Sequence, residues 1–146
     1  MSKFNKQSGF TIVELLIVIV VIGILAALVI TTFTGIQQKG RNTERTTDIK
    51  AVHSQLEAYY AKNGVYPTLA QMNDAGDAFI KNELKGLDLD ATKDPKGTSN
   101  DLAATSTATV YGYAVAPDAA GTADGKYTLT ATLEGGGTFV KESLNN

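Results

Sequence analysis

The feature that most constrains this chain is an apolar run near its N-terminus. No charged or polar side chain occurs between Leu15 and Ile30, and Gly23 is the only interruption. At a rise of about 1.5 Å per residue, a helix over 10–33 would match the roughly 30 Å hydrocarbon core of a bilayer. The run therefore predicts a membrane-spanning helix.

Residues 1–9, which precede the run, are short, polar and basic, with Lys3 and Lys6. The positive-inside rule keeps such a segment in the cytoplasm and sends the rest of the chain outward. An ordinary secretory signal is the alternative, but its apolar region has about 7 to 15 residues and ends in an A-x-A-like site. No such site occurs between residues 23 and 40. A cut after Gly9, on the cytoplasmic side, would instead leave the helix in the product.

One carboxylate, Glu14, lies near the start of the predicted helix. An acid at mid-bilayer costs about 2.5 to 3.5 kcal/mol on insertion scales, and acids in spanning segments are usually functional. A cationic α-amine beside it, with a pKa near 8, would offset the desolvation of both charges. Glu14 is therefore predicted to need a partner, the alternative being an acid at the membrane interface with no role in assembly.

Residues 9–16 (Gly-Phe-Thr-Ile-Val-Glu-Leu-Leu), together with 23–27 (Gly-Ile-Leu-Ala-Ala), resemble the class III prepilin signal of type IV pilins and pseudopilins. The resemblance is close over about the first 27 residues and covers the rest only in layout. It implies that a prepilin peptidase cuts after Gly9 and methylates the new amine of Phe10. It also implies that Glu14 pairs with the Phe10 amine of a neighbouring subunit in a helical filament.

Length and composition restrict the part of the chain beyond the helix. The 146 residues leave room for one exported domain of about 100 residues. The formal charge is −2, and loss of Lys3 and Lys6 makes it −4, so no broad basic face for nucleic acid is expected. The absence of cysteine excludes disulfides and thiolate chemistry. No catalytic constellation is present, so neither an enzyme nor a cofactor is predicted.

The helix is predicted to continue as an amphipathic segment over 34–63. Asn63-Gly64 reads as its stop, with Gly64 in the left-handed conformation. Gly35 and Gly40 are candidate points of flexibility. Many pilins have a proline near the position of Thr31, and its absence here leaves Gly23 as the candidate for flexibility in the first half of the helix. The apolar residues at helical spacing are Ile49, Val52, Leu56, Tyr59 and Tyr60.

Charged residues on this segment have two interpretations. Lys39, Arg41 and Arg45 form either a solvated basic collar or a subunit contact with Glu44 or Asp48 of a neighbour. His53 is predicted to lie on the surface, paired with Glu57 four residues later.

Residues 64–109 are predicted to connect the helix to a sheet, and 63–67 resemble the N-G-x-Y-P stretch of many pseudopilins and of pilins from monoderm bacteria. A capping box formed by Thr68 and Gln71 should start a short helix or helical loop over 69–84. Residues 88–109 are predicted to be a loop, either an exposed surface for adhesion or glycosylation or a flexible connector.

Residues 110–146 are predicted to form an antiparallel sheet with strands at 110–116, 126–133 and 138–144. The helix face bearing Val52, Leu56 and Tyr59 should cover its apolar side. The predicted fold class is therefore α+β, with a long N-terminal helix packed against a small three-stranded sheet, as the pilin resemblance also implies. Asp118 and Asp124 lie in a loop where major pseudopilins hold calcium, although a plain hairpin loop suits this spacing better.

Three functions are compatible with these patterns. The preferred one is a subunit of a type IV pilus-like filament, with identical subunits, prepilin peptidase and an assembly platform as partners. The alternatives are a major pseudopilin of a type II secretion or competence machine, and a monomeric membrane-anchored binding module. The expected location is the cytoplasmic membrane, with the C-terminal domain outside, before assembly and the extracellular surface afterwards.

Overall fold

The structure, a computed structural model, describes residues 9–116 and 125–144, with the side chain of residue 31 left out. It divides into two units, residues 1–37 and 38–146. The elements are α1 (Ile12–Asn63), α2 (Leu69–Met72), α3 (Ala78–Glu83), a 3₁₀ helix (Leu89–Thr92), β1 (Gly112–Ala116), β2 (Lys126–Thr132) and β3 (Thr138–Glu142). The predicted α+β class, a long N-terminal helix followed by a three-stranded antiparallel sheet, is confirmed.

Helix α1 ends where the sequence predicts. Gly64 follows Asn63 with φ of +74°, and its N–H donates to the carbonyl of Tyr60 at 2.7 Å. This left-handed residue closes the last turn, because glycine adopts positive φ without a Cβ penalty.

The core of the second unit forms between α1 and the sheet. Ile49, Val52 and Leu56 project from one stripe of α1 and are at most 1% exposed. They pack in one cluster with alternate residues of the strands, which confirms the predicted helix face. On the sheet side, this cluster includes Tyr111, directly before β1, and the strand residues Tyr113, Tyr127, Leu129 and Ala131.

The sheet has the order β1-β2-β3, and both pairs are antiparallel, as in the predicted meander. Gly135, Gly136 and Gly137 form the β2–β3 turn with φ of +89°, +106° and +87°. The strands are one or two residues shorter than predicted. Strand β1 begins at Gly112 because Val110 pairs with Thr107 in an isolated bridge.

The predicted helix over 69–84 is two short helices. The capping box at Thr68 is confirmed, since its Oγ1 accepts from Gln71 N at 3.2 Å and its N–H donates to Gln71 Oε1 at 2.8 Å. Gly76 and Asp77, with φ of +80° and +55°, break the helix between α2 and α3. The prediction of a single element missed this break because the apolar spacing continues across it.

Residues 88–109 are irregular apart from the 3₁₀ helix, but the expectation of an exposed loop is wrong for part of them. Ala91, Thr92, Asp94 and Leu102 are buried. Ala103 lies beside β1, where its carbonyl accepts from Tyr113 N at 2.7 Å. The exposed hydroxyl residues of this segment are Thr98, Ser99, Thr105, Thr107 and Thr109.

Candidate functional site

The first turn of α1 carries the acid that the sequence singled out. Glu14 Oε2 accepts from Thr11 N at 2.8 Å and from Thr11 Oγ1 at 2.7 Å, while Glu14 N donates to Thr11 Oγ1 at 3.2 Å. These bonds form a capping box, which satisfies free N–H groups at a helix start. The helix therefore begins at Ile12 and not at Phe10.

The sequence analysis did not predict this cap. Thr11 and Glu14 nevertheless have the same capping-box spacing as Thr68 and Gln71. In the single chain, Glu14 is held by its own first turn, where a carboxylate also complements the helix dipole. Its pairing with the Phe10 amine of a neighbour requires a second copy and a cleaved terminus, and stays a prediction.

Gly9 and Phe10, the predicted cleavage residues, lie before α1 in non-helical backbone. Both are exposed, with the Phe10 side chain at 87%. The peptide bond between them is therefore outside the hydrogen-bonded helix.

The apolar half of α1 is exposed on every side. Its large apolar side chains from Ile12 to Ile36 are between 48% and 86% exposed. The helix is long and apolar enough to cross a bilayer by length and composition. A helix that is apolar all round is stable only in lipid or among other helices.

The three glycines proposed as points of flexibility, Gly23, Gly35 and Gly40, all lie inside α1. A Cβ at each would meet no heavy atom within 4 Å in the described chain. Packing in the single chain therefore does not require glycine there, and flexibility stays a prediction.

A charge cluster joins α1 to the connecting region and to the β2–β3 turn. Arg45, whose side chain is 0% exposed, binds both carboxylate oxygens of Asp94 at 2.6 and 2.9 Å. Glu134 accepts from Arg41 at 2.5 and 2.7 Å, from Arg45 at 3.0 Å and from Lys96 at 2.9 Å. Both interpretations of the basic residues are therefore wrong for Arg41 and Arg45, because they pair within their own chain.

This cluster shifts the ionisation of its members. Hydrogen bonds from Arg41 and Lys96 are the main cause of a pKa of Glu134 well below its usual range. The hydrogen bond to Asp94 raises the pKa of Arg45 above its already high value. Glu134 and Arg45 are therefore both ionised at neutral pH.

His53 also differs from its prediction. Its Nδ1 lies 2.6 Å from the hydroxyl of Tyr127, which donates to Glu57 Oε1 at 2.8 Å. The expected direct pairing of His53 with Glu57 is thus replaced by a bridge through Tyr127. Burial lowers the pKa of His53, while Glu57 opposes that shift.

Asp48 lies on one flank of α1 and accepts from the hydroxyl of Tyr111 at 2.7 Å. Burial, assisted by the negative charges of Glu44, Asp94 and Asp88, raises the pKa of Asp48 to about 6. Asp48 is therefore less readily ionised than an exposed aspartate.

The candidate calcium residues, Asp118 and Asp124, lie outside the described residues. Within 9–116 and 125–144, no group of three or more His, Cys, Asp or Glu side chains is placed to hold a metal ion.

The fold and the N-terminal site together define a class of protein: a small α+β domain that carries a long, apolar, capped N-terminal helix. Residues 4–30 match the family model of the prokaryotic N-terminal methylation motif. The chain is 41% identical over 71 residues to a type II secretion system core protein G of Vibrio cholerae, covering 49% of each chain. It is 36% identical over 70 residues to the type IV major pilin protein PilA of Myxococcus xanthus, covering 47% of this chain and 32% of that one.

The motif match and the similarity to these relatives, each of which covers half of the chain or less, support a place in the type IV pilin and pseudopilin family. The chain spans about half the length, or less, of the curated relatives it matches. No solved structure matches it significantly.

Proposed function

We propose that this chain is a structural subunit of a type IV pilus-like filament, built from identical copies by the packing of their N-terminal helices. The observation that carries this proposal is the all-round exposure of the apolar part of α1. That surface needs lipid before assembly and other helices afterwards. The role is structural and not enzymatic, in keeping with relatives named as a pilin and as secretion-system core proteins.

Before assembly, the apolar helix anchors the chain in the cytoplasmic membrane with the C-terminal domain outside. The basic residues Lys3 and Lys6 support this orientation. After assembly, the domain lies on the outside of the filament at the cell surface. An assembly platform in the membrane is the further partner.

Processing by a prepilin peptidase occurs between Gly9 and Phe10, followed by methylation of the Phe10 amine. The exposed, non-helical backbone at these two residues supports this site, because a peptidase needs an accessible, unwound bond. Cleavage leaves the new amine one residue before the cap formed by Thr11 and Glu14.

In the filament, Glu14 pairs with the Phe10 amine of a neighbour. Each charge relieves the cost of burying the other away from water. The capping bonds from Thr11 occupy Oε2, so Oε1 remains as an acceptor for that amine.

A second candidate is a pseudopilin of a secretion or DNA-uptake machine. It is favoured by relatives named type II secretion system core protein G in Vibrio cholerae and Aeromonas hydrophila. Deletion of the chain separates the two functions: loss of surface fibres supports a pilin, whereas loss of protein secretion or DNA uptake with fibres intact supports a pseudopilin.

The deciding experiment is intact mass and N-terminal sequencing of material sheared from cells without detergent. A product that begins at N-methylated Phe10 in a filament fraction is expected. An uncut chain that stays with the membrane would contradict the proposal and leave a monomeric anchored binding module.

The role of Glu14 is tested with two variants. Glu14→Gln keeps an acceptor for Thr11 and so keeps the cap, but it removes the charge. If charge pairing drives assembly, Glu14→Gln and Glu14→Ala are both cut after Gly9 and both fail to enter filaments. Normal filaments from Glu14→Gln would show that only the cap matters.

A further inference from the structure

The second half of α1, with the segments packed beside it, carries opposite charges on the two sides of its buried stripe. On one side lie four carboxylates, which we call the acidic flank: Glu44, Asp48, Asp88 and Asp90. On the other side lie Lys50 and Lys141, the basic flank. In the part of the chain that the structure describes, none of these six side chains belongs to an ion pair.

The acidic flank forms no ion pair with its own surroundings in the described residues. The nearby cations Arg41, Arg45 and Lys96 are engaged by Asp94 and Glu134. Lys93 lines a hollow with Glu44 and Asp90 but forms no ion pair there in the described residues. Burial raises the pKa of Asp48, and the negative charges of Glu44, Asp94 and Asp88 raise it further.

The basic flank is equally open. Lys50 is exposed, and its amine lies 5.7 Å from the ring centre of Phe139 on β3. Lys141, on the same strand, is close enough to His53 to help lower the pKa of that imidazole. Neither amine forms an ion pair with the residues that the structure describes, so each can meet a carboxylate of another molecule.

The two flanks cannot meet within one chain. Asp48 and Lys50 are two residues apart, or about 200° around the helix axis. Glu44 and Lys50 are separated by about 10 Å between their Cα atoms, on either side of the buried stripe. A contact between different patches of identical molecules is heterologous, and such contacts build closed rings or, where the rotation does not close, open helical filaments.

We propose that the acidic flank of one copy receives the basic flank of the next copy, with Glu44 facing Lys50. This interface adds a contact between the domains to the packing of the N-terminal helices, and it rests on the proposed filament function. Its strength should fall as the salt concentration rises, because exposed charge pairs are screened.

The absence of cysteine from the chain allows a direct test by co-expression of full-length Glu44→Cys and Lys50→Cys copies. A disulfide within one doubly substituted chain is excluded, since it requires Cα atoms within about 7 Å. Oxidation of sheared filaments is expected to yield a dimer that joins residue 44 of one copy to residue 50 of another. Filaments with no such dimer, or with only 44–44 dimers, would overturn the interface and leave the filament function standing.

Charge reversal gives a second readout. Glu44→Lys or Lys50→Glu alone should lower the yield of sheared filaments about five-fold or more, and the double variant should restore it. Lys85→Glu, an exposed reversal outside both flanks, is the matched control. Unchanged yield in both single variants would contradict the interface. If the unsubstituted chain forms no filaments, the function and the interface both fail.

Discussion

Arg45 donates two hydrogen bonds to Asp94, which lies 49 positions further along the chain, at 2.6 and 2.9 Å. Both side chains are fully buried. The fork of the guanidinium matches the two oxygens of the carboxylate, which is the strong form of such a pair. The connecting region is thereby fastened to α1 just beyond its apolar half.

Removal of one partner of this pair should be costly. Asp94→Ala leaves Arg45 buried with only Glu134 as a charged partner, and we expect a loss of about 3 kcal/mol in the free energy of unfolding. Chemical denaturation of the full chain in detergent measures it. Asp90→Ala, an exposed acid nearby, is the control, and a loss of less than about 1 kcal/mol in Asp94→Ala would contradict the account.

The lowered pKa of Glu134 should make the free energy of unfolding depend on pH. Its folded pKa lies below the unfolded value of about 4.3, so the stability it contributes is complete above that pH and is lost as the pH falls further. Glu134→Gln should therefore be less stable than the parent at pH 7, and the difference should shrink as the pH falls below about 4. Denaturation curves across pH test this, with the exposed Glu142→Gln as the control. A difference that does not change with pH would exclude the charge as its cause.

Asp48 predicts the opposite dependence. Its folded pKa of about 6 is above the unfolded value of about 3.9, so its ionisation destabilises the fold progressively between about pH 4 and 6. Asp48→Asn keeps an acceptor for Tyr111 and should stabilise the chain at pH 7 by about 1 kcal/mol, a value reduced for partial solvation. The gain should vanish near pH 4, while Asp90→Asn should show none. An Asp48→Asn variant that is less stable at pH 7 would contradict this reasoning.

The hydroxyl of Tyr127 bridges His53 and Glu57, and its loss should weaken the contact between β2 and α1. We expect Tyr127→Phe to lower the free energy of unfolding by about 1 kcal/mol, because His53 and Glu57 each lose a part-buried hydrogen bond. Tyr59→Phe is the matched control, since the Tyr59 hydroxyl makes no hydrogen bond to the described residues. Equal stability of the two variants would show that the bridge contributes nothing.

Local patterns account for much of the fold. Helical spacing identified Ile49, Val52 and Leu56 as the buried stripe, and the strand pattern identified the second strand at 126–133, whose Tyr127 and Leu129 are buried. The stop at Gly64 follows from residue type alone. These predictions succeed because each depends on neighbours a few residues apart.

The misses arise from contacts between distant residues. From the sequence, Arg45 is expected to be a surface charge, because its partners Asp94 and Glu134 lie 49 and 89 positions further along the chain. The bridge from His53 through Tyr127 spans 74 positions, whereas the prediction had only the local pair with Glu57. The cap of Thr11 and Glu14 is different, because its signal is local and is legible in the sequence beside the predicted role of Glu14 in assembly.

The apolar helix, its acid, the N-terminal motif and the order of the strands follow from the sequence, because period and residue type specify them locally. Which charges pair inside the domain, and which stay without an ion pair on the two flanks of α1 in the described residues, depends on the folded chain. A charge is buried only where folding brings its partner within hydrogen-bonding distance. Such partners are selected by the packing of the connecting region and the sheet against α1.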